Sequence, residues 1–324
     1  MKAIQVHEFG GPEVLKLGEV PDPQPGPGEL VIKLEAIGVN PVDTYIRAGV
    51  HAMRPDFPYV PGSDAAGTVE TVGEGVGDFS PGDRVYAAGS LRGSWNGCYA
   101  ERLLRRADQV MALPDNISFA QGSALGVPYG TAYRALFQRA GAQTGETILV
   151  HGASGAVGSA AVQLAAGHGM TAIGTAGSQR GRDMVKAQGA AHVLDHTAAG
   201  YLDAVAELSS GRGPDVVLEM LADVNLANDM EVAGHGGRIV VIGNRGSIEI
   251  NARMAMMKDL DIRGMALPNT PDDAMAEIHA ALGRGLAAGD LKPVIGAEMP
   301  LAEAAAAHVK VLEPGACGKI VLLP

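Results

Sequence analysis

The chain has 324 residues, of which 47% are hydrophobic but only 4% aromatic, with 45 glycines and a formal net charge of -11. That length exceeds one ordinary core and fits two domains of roughly 100 to 200 residues each, with cores of Ala, Val, Leu and Ile packed by closely approaching backbones. The acidic balance argues against a general attraction to nucleic acid or anionic membranes, because binding to phosphate rewards clustered Lys and Arg.

Met1 to Gly10 alternates like a strand and lacks the basic start and apolar run of a secretory signal. No uninterrupted apolar run reaches membrane-spanning length. Cys98 and Cys317 are too few for a disulfide framework or a four-thiolate zinc lobe. A reduced, soluble, cytoplasmic protein is the expectation.

The first ~120 residues read as β-rich, with strands at Ala3 to Val6, Leu30 to Ile37, Ala65 to Val72 and Arg84 to Ala87 between turn residues. Pro21 to Gly28 carries four prolines and two glycines, which exclude a regular helix or central strand and predict a rigid surface turn. Arg102, Arg105 and Arg106 form a small basic cluster without the interleaved aromatics of a nucleic-acid site. From about Gly122 the pattern changes to alternating strand and helix. Strands are expected at Thr147 to Val150, Thr171 to Thr175, His192 to Leu194, Asp215 to Glu219, Arg238 to Ile242 and Asp261 to Gly264. That alternation predicts an α/β fold with a doubly wound parallel sheet. The tail reads as helices at Asp272 to Leu286 and Leu301 to Leu312 and a strand at Lys319 to Leu323, free to return to the first domain.

The most informative stretch is His151-Gly152-Ala153-Ser154-Gly155-Ala156-Val157-Gly158, between the apolar strand Thr147 to Val150 and a small-residue helix, Ser159 to Ala166. Glycines let the backbone turn tightly and approach a pyrophosphate, and the free N–H groups and dipole of the next helix attract its charge. Ala153 stands where G-x-G-x-x-G has its first glycine, so the pattern gains its weight from the strand, turn and helix around it.

With that cradle in the middle and a β-rich segment before it, the chain resembles the medium-chain dehydrogenase/reductase superfamily, and within it the zinc-free quinone oxidoreductases of the zeta-crystallin type. The matching segments are Gly38 to Tyr45, Pro61 to Gly67, Pro81 to Val85, Pro128 to Tyr133, Leu218 to Asn225, Gly236 to Arg238 and Gly243 to Gly246. Ala156 departs from a second glycine usual in these reductases, and Asp43 from a frequent Glu. The resemblance implies a Rossmann domain, residues 123–264, inserted into a GroES-like β-rich catalytic domain, residues 1–122 and 265–324, with ligands in the cleft between them.

Residue by residue, the resemblance implies a cofactor lined by Tyr45, Thr131, Ser154, Gly155, Ala156, Val157 and Gly177. It extends to His196, Asn225, Ile242, Gly243, Asn244, Arg245, Met265, Ala266 and Leu267. His196 is either an edge contact to the nucleotide or an isolated surface histidine, and an N-cap role for Asn225 competes with a ligand role. An NAD site places a carboxylate about 20 residues past the glycines. Here the strand end reads Ala176-Gly177-Ser178-Gln179-Arg180-Gly181-Arg182, without one. Ser178, Arg180 and Arg182 offer donors for a 2′-phosphate, or else a solvated helix start; NADPH is therefore expected.

Zinc relatives use a Cys and a His where this chain has Asn40 and Ser63, so metal-assisted alcohol oxidation is disfavoured and no metal is expected. The acceptor should then take hydride without a metal, as a quinone or an activated enone does. Asn40, Asp43, Tyr45 and Tyr129 are the catalytic candidates: Tyr45 or Tyr129 to bond a developing oxyanion, Asn40 to orient the ring, Asp43 to position neighbours. Packing of Tyr129 and a turn at Asn40-Pro41 are the competing readings. Trp95 is a candidate cap on the quinone entrance or an ordinary surface or dimer-contact aromatic. The alternatives are an NADPH-dependent reductase of enones, alkenals or enoyl thioesters, and an NADPH-binding structural, crystallin-like protein. Relatives of this kind assemble as homodimers or homotetramers by extending the Rossmann sheet.

Overall fold

The computed structural model describes residues 1–87, 97–315 and 317–324; Trp95 lies outside them. The first stretch supplies β1 (Lys2–Gln5), β2 (Lys16–Glu19), β3 (Glu29–Val39), α1 (Pro41–Arg47), β4 (Asp64–Val72), β5 (Arg84–Ala87), β6 (Arg102–Arg106), β7 (Val110–Ala112) and α2 (Phe119–Gly122). Next come α3 (Gly130–Tyr133), β8 (Thr147–Val150), α4 (Ala156–Gly167), β9 (Thr171–Thr175), α5 (Gln179–Ala187), β10 (His192–Leu194), α6 (Tyr201–Leu208), β11 (Val216–Glu219), α7 (Ala222–Val232), β12 (Arg238–Val241), α8 (Ala252–Lys258) and β13 (Asp261–Gly264). The tail holds α9 (Asp272–Ala288), β14 (Ile295–Pro300), α10 (Ala304–Lys310) and β15 (Lys319–Leu323).

Two compact units result: residues 1–127 with 279–314 and 318–324, and residues 128–278 with 315–317. They part at Val127/Pro128 and Ile278/His279 rather than at the expected 122/123 and 264/265. The reason is local packing. Gly130 faces the Leu267 side chain, Arg134 donates to Asn269 O at 3.3 Å and Gln138 to Ala274 O at 3.0 Å, which ties residues 265–278 to the start of the second unit.

In the first unit β3 is central, and its 11 residues are used on both edges. One edge pairs antiparallel with β4; along the other, Glu29–Lys33 pair with β6 and Ile37–Val39 with β15. The sheet order is β14-β15-β3-β4-β5-β7. The returning tail strand is thus an interior strand, and its Leu322 packs with Ile32, Ile37 and Val39 of β3 and with Ala304 and Ala307 of α10. The three arginines of β6 form no free basic patch: Arg105 is 2% exposed, Arg102 pairs with Glu70 at 2.7 Å and Arg106 with Asp108 at 2.7 Å.

The second unit is an all-parallel sheet in the order β10-β9-β8-β11-β12-β13. This is the doubly wound arrangement of the Rossmann fold, with its order reversing between β8 and β11. Its core takes one aliphatic from each central strand, Leu149, Ile173, Val217 and Ile239, closed by Val205 of α6 and Met230 of α7. Gly158, Ser159, Ala160 and Ala161 of α4 are all buried, so their short side chains let this helix approach the sheet closely. The expected strands agree with those observed to within one or two residues at each end.

Candidate active site

The cradle is a backbone construction. Gly152 adopts φ +56°, the left-handed region that favours glycine. Its N–H faces Thr175 Oγ1 at 3.3 Å, and Ala153 N–H donates to Thr175 O at 2.8 Å, anchoring the turn to the end of β9. A Cβ at Gly158 would stand 2.5 Å from Gly152 O and 2.6 Å from Ala153 Cα. Only glycine there lets α4 abut the turn and aim its first N–H groups past it. Gly155 caps that helix in extended conformation with no side-chain bond to those donors. The arrangement fits a pyrophosphate, an anion that bare N–H groups and a helix N-terminus hold together.

Beside it, Ser154 meets the start of α5: a Cβ on Gly181 would lie 3.2 Å from Ser154 Oγ and 3.0 Å from Ser178 Oγ. A Cβ on Gly177 would lie 3.0 Å from His196 Nε2, so these two candidates are neighbours. Partial burial, with His151 and Arg182 nearby, lowers the His196 pKa; Asp195 acts in the opposite sense.

The first unit holds a buried polar network. Lys319 Nζ donates to Asn40 Oδ1 at 2.6 Å and Asp64 Oδ2 at 2.9 Å, and Asn40 Nδ2 donates to Asp64 Oδ2 at 2.9 Å. Val127 N–H closes the other Asp64 oxygen at 2.8 Å. Asp43 accepts from Asn40 N–H at 2.9 Å and Ser63 Oγ at 3.0 Å, capping α1 from its third residue. Arg47 can only donate, so His308 Nδ1 accepts from it at 3.4 Å, and Nε2 then donates to Tyr99 OH at 3.0 Å. Tyr99 OH in turn donates to Asp43 Oδ2 at 3.4 Å. Burial pushes the Asp43 carboxyl up to about 7 and, with Arg47, pushes His308 down to about 3.

Comparison with known proteins adds identity to this geometry. The alcohol dehydrogenase GroES-like domain matches residues 26–115, and the zinc-binding dehydrogenase domain matches residues 156–282. Quinone oxidoreductase of Sus scrofa is 46% identical over 325 residues, spanning 100% of this chain and 98% of that protein. The chain belongs to the quinone oxidoreductases of the medium-chain dehydrogenase/reductase superfamily. The crystal structure of Escherichia coli quinone oxidoreductase complexed with NADPH is similar at TM-score 0.87 and 28% identity, covering 100% of both chains. An NAD-dependent alcohol dehydrogenase is similar at TM-score 0.91 and 30% identity, again over 100% of both.

Set against this quinone oxidoreductase family, the residues at the zinc positions do not fit a catalytic zinc ion. Asn40 offers an amide and Ser63 a hydroxyl, and the Lys319 ammonium already brings positive charge to Asn40 and Asp64. Lys319, Tyr99 and His308 were not among the candidates from sequence; for Lys319 and His308 the only signal was the return of the tail strand and helix to the first domain, and Tyr99 carried none.

Several site candidates are placed differently from expectation. Tyr129 is 1% exposed, and its phenol donates to Gln163 Oε1 at 3.0 Å, a placement that fits the packing reading of this residue. Ser178 Oγ accepts from Gly181 N–H at 3.1 Å as the N-cap of α5. Arg182 is held by Asp195 at 2.6 Å and by Gln179 Oε1 at 2.9 Å, whereas Arg180 is exposed. Asp195, which directly follows β10, thus places a carboxylate against this arginine. Asn225 is not an N-cap: Leu221 precedes α7, and Asn225 donates from its second turn to Glu219 Oε1 at 3.2 Å.

Seven of the remaining candidates lie on two short connections of the second unit, after β12 and after β13. Ile242 and Gly243 donate to Glu219 O at 2.9 and 3.2 Å, Asn244 Nδ2 donates to Gly246 O at 2.8 Å, and Arg245 N–H donates to Asp223 Oδ1 at 2.8 Å. Met265 N–H donates to Val241 O at 3.0 Å, followed by Ala266 and the half-buried Leu267. Thr131 is buried in α3. In the first unit, Tyr45 is half-buried on α1.

Proposed function

We propose that this chain is a zinc-independent NADPH:quinone oxidoreductase of the zeta-crystallin-like kind. The observation that carries the reading is the bare-backbone cradle from Gly152 to Gly158 in a chain that matches quinone oxidoreductases end to end. Bound NADPH supplies the hydride. The N–H groups of Ser154 to Val157 hold the pyrophosphate; Arg180, with the Ser178 hydroxyl and Arg182 beside it, meets the 2′-phosphate; and His196 and Gly177 flank the ribose. Asn225, Ile242 to Arg245, Met265 to Leu267, Thr131 and Tyr45 complete the cofactor lining. The Tyr45 phenol donates to the oxygen that gains charge on the quinone, while Asn40 and Asp43 are positioning residues whose polar atoms are held by Lys319, Asp64 and Ser63.

Oxidation of NADPH and of NADH, followed by stopped flow with ortho- and para-quinones, enones and enoyl thioesters after chelation, tests this. Fast, chelator-insensitive turnover of NADPH with quinones alone is the expected result. Turnover confined to enones or thioesters moves the acceptor class, and tight NADPH binding without turnover makes the chain a structural dinucleotide binder.

We also infer a cytoplasmic homodimer. Among the described residues β13 is an edge strand with Ile262 40% exposed, and Met256 and Met257 on α8 are 69% and 61% exposed. No helix among them is long and apolar enough to cross a membrane. Light scattering at micromolar concentration gives the assembly state, with a monomer or a tetramer as the contrary results.

A further inference from the structure

Three side chains that the proposed reaction leaves unused converge where the order of the parallel sheet reverses. His151 follows β8, Glu219 ends the neighbouring strand β11, and Asp229 reaches them from α7; they are 4%, 0% and 0% exposed. His151 Nε2 lies 2.8 Å from Asp229 Oδ1 and 3.7 Å from Glu219 Oε2. One ligand-capable atom from each residue lies within 4.8 Å of the other two.

Hydrogen bonding leaves this centre incomplete. Glu219 Oε1 accepts from Leu221 N–H and Asn225 Nδ2. Glu219 Oε2 and Asp229 Oδ2 are fully buried and have no partner. Both are acceptors when ionised, and among the described residues no Lys or Arg pairs with either carboxylate. A buried pair of this kind is satisfied by a cation between the two carboxylates or by a proton shared between them.

We propose that His151, Glu219 and Asp229 form a structural site for a zinc-class divalent cation that ties β8, β11 and α7 together at the switch point. One imidazole and two carboxylates suit such an ion, with bonds of about 2.0 to 2.2 Å. Bringing the ligand atoms that close takes side-chain rotations that break the His151 to Asp229 hydrogen bond. The three residues fill three positions of a four-coordinate ion and leave the fourth to a water; because all three are buried, the contribution assigned to the site is stability. It is separate from Asn40 and Ser63, and it stands whether or not the chain reduces quinones.

The test uses full-length, tag-free protein stripped with a chelator and titrated with Co(II), then with Zn(II). Visible cobalt bands saturating at one ion per chain are expected, without the thiolate charge-transfer band that Cys98 or Cys317 would give, and zinc should displace them. The melting temperature should rise with zinc concentration. Asp229→Asn and His151→Gln should each weaken binding by more than the roughly 10- to 100-fold that an outer-shell change costs. The wild-type titration is decisive even if a variant misfolds: no bands and no shift in melting temperature would overturn the proposal. Saturable binding unchanged in both folded variants would also overturn it. So would a stripped wild type that binds nothing while Glu219→Gln melts higher, since a proton shared by the two carboxyls would then stand where the cation is placed.

Discussion

Lys319 donates to Asn40 Oδ1 at 2.6 Å across 279 positions of sequence, and the same ammonium pairs with Asp64 at 2.9 Å. Both members of that ion pair are 1% exposed. Removing the cation alone would leave the carboxylate desolvated and unpaired. Lys319→Met should therefore cost about 3 to 5 kcal/mol. Urea unfolding followed by circular dichroism checks this: the midpoint should fall, and adding Asp64→Asn should restore part of it.

Asp43 makes stability depend on pH. Its carboxyl is raised by burial from 3.8 to about 7, with Asp64 acting in the same sense and the Asn40 N–H, Lys319 and Ser63 opposing. Tyr99 faces the same carboxyl, and His308 stands behind it. The native state keeps a proton that the unfolded chain releases between about pH 4 and pH 7, so this contribution to stability falls as pH rises through that window and is constant above it. Each tenfold change in proton affinity is worth about 1.4 kcal/mol. Asp43→Asn should flatten that slope in unfolding titrations from pH 4 to pH 8; an unchanged slope would remove Asp43 as its source.

Coenzyme preference rests on Arg180 more directly than on Arg182. Arg180 is exposed, whereas Arg182 is occupied with Asp195 at 2.6 Å. A charge-assisted bond is worth about 1.5 to 3 kcal/mol, so Arg180→Ala should lower the ratio of kcat/KM for NADPH over NADH by roughly 10- to 100-fold. Arg182→Ala should move the ratio the same way by freeing Asp195 to repel a 2′-phosphate, and Arg182→Ala with Asp195→Asn should recover part of it. Arginine variants that leave the ratio unmoved would assign 2′-phosphate recognition elsewhere.

Gly158 sets the depth of the cradle. A methyl group there would stand 2.5 Å from Gly152 O, a contact the turn relieves only by moving away from α4. Overpacking of this kind costs about 1 to 3 kcal/mol. Gly158→Ala should weaken NADPH binding, measured by calorimetry, more than it lowers the melting temperature of the ligand-free chain.

Tyr129 and Tyr45 should separate cleanly. Tyr129→Phe removes a buried bond to Gln163 and should cost about 0.5 to 1.5 kcal/mol of stability while leaving kcat close to the parent value. Tyr45→Phe should lower kcat with little change in the unfolding midpoint. The opposite pattern would return the oxyanion role to Tyr129.

What sequence conveyed here was mostly local. Thr147 to Val150 is a fully buried strand, and the glycine turn follows it in the order the motif requires, because apolar runs and glycine positions constrain the backbone over a few residues. Partnerships between distant segments were not legible. Asp195 was not legible, because the motif places its carboxylate after β9, whereas the carboxylate that meets Arg182 follows the adjacent strand β10. His151 and Asp229 lie 78 positions apart, and no spacing rule joins them. Ser178 did carry a usable signal: a serine directly before a helical stretch is an N-cap first and a ligand second.

The interior position of β15 has a consequence for how the protein is made. During synthesis residues 128–278 emerge as a complete parallel sheet, while β3 still lacks the partner that Lys319–Leu323 will supply. The second unit can therefore fold on the ribosome, but the first must hold an unpaired edge until the tail emerges. Ribosome-bound chains truncated before residue 319 should expose that edge to chaperones and proteases, although most residues of the first unit have long been translated.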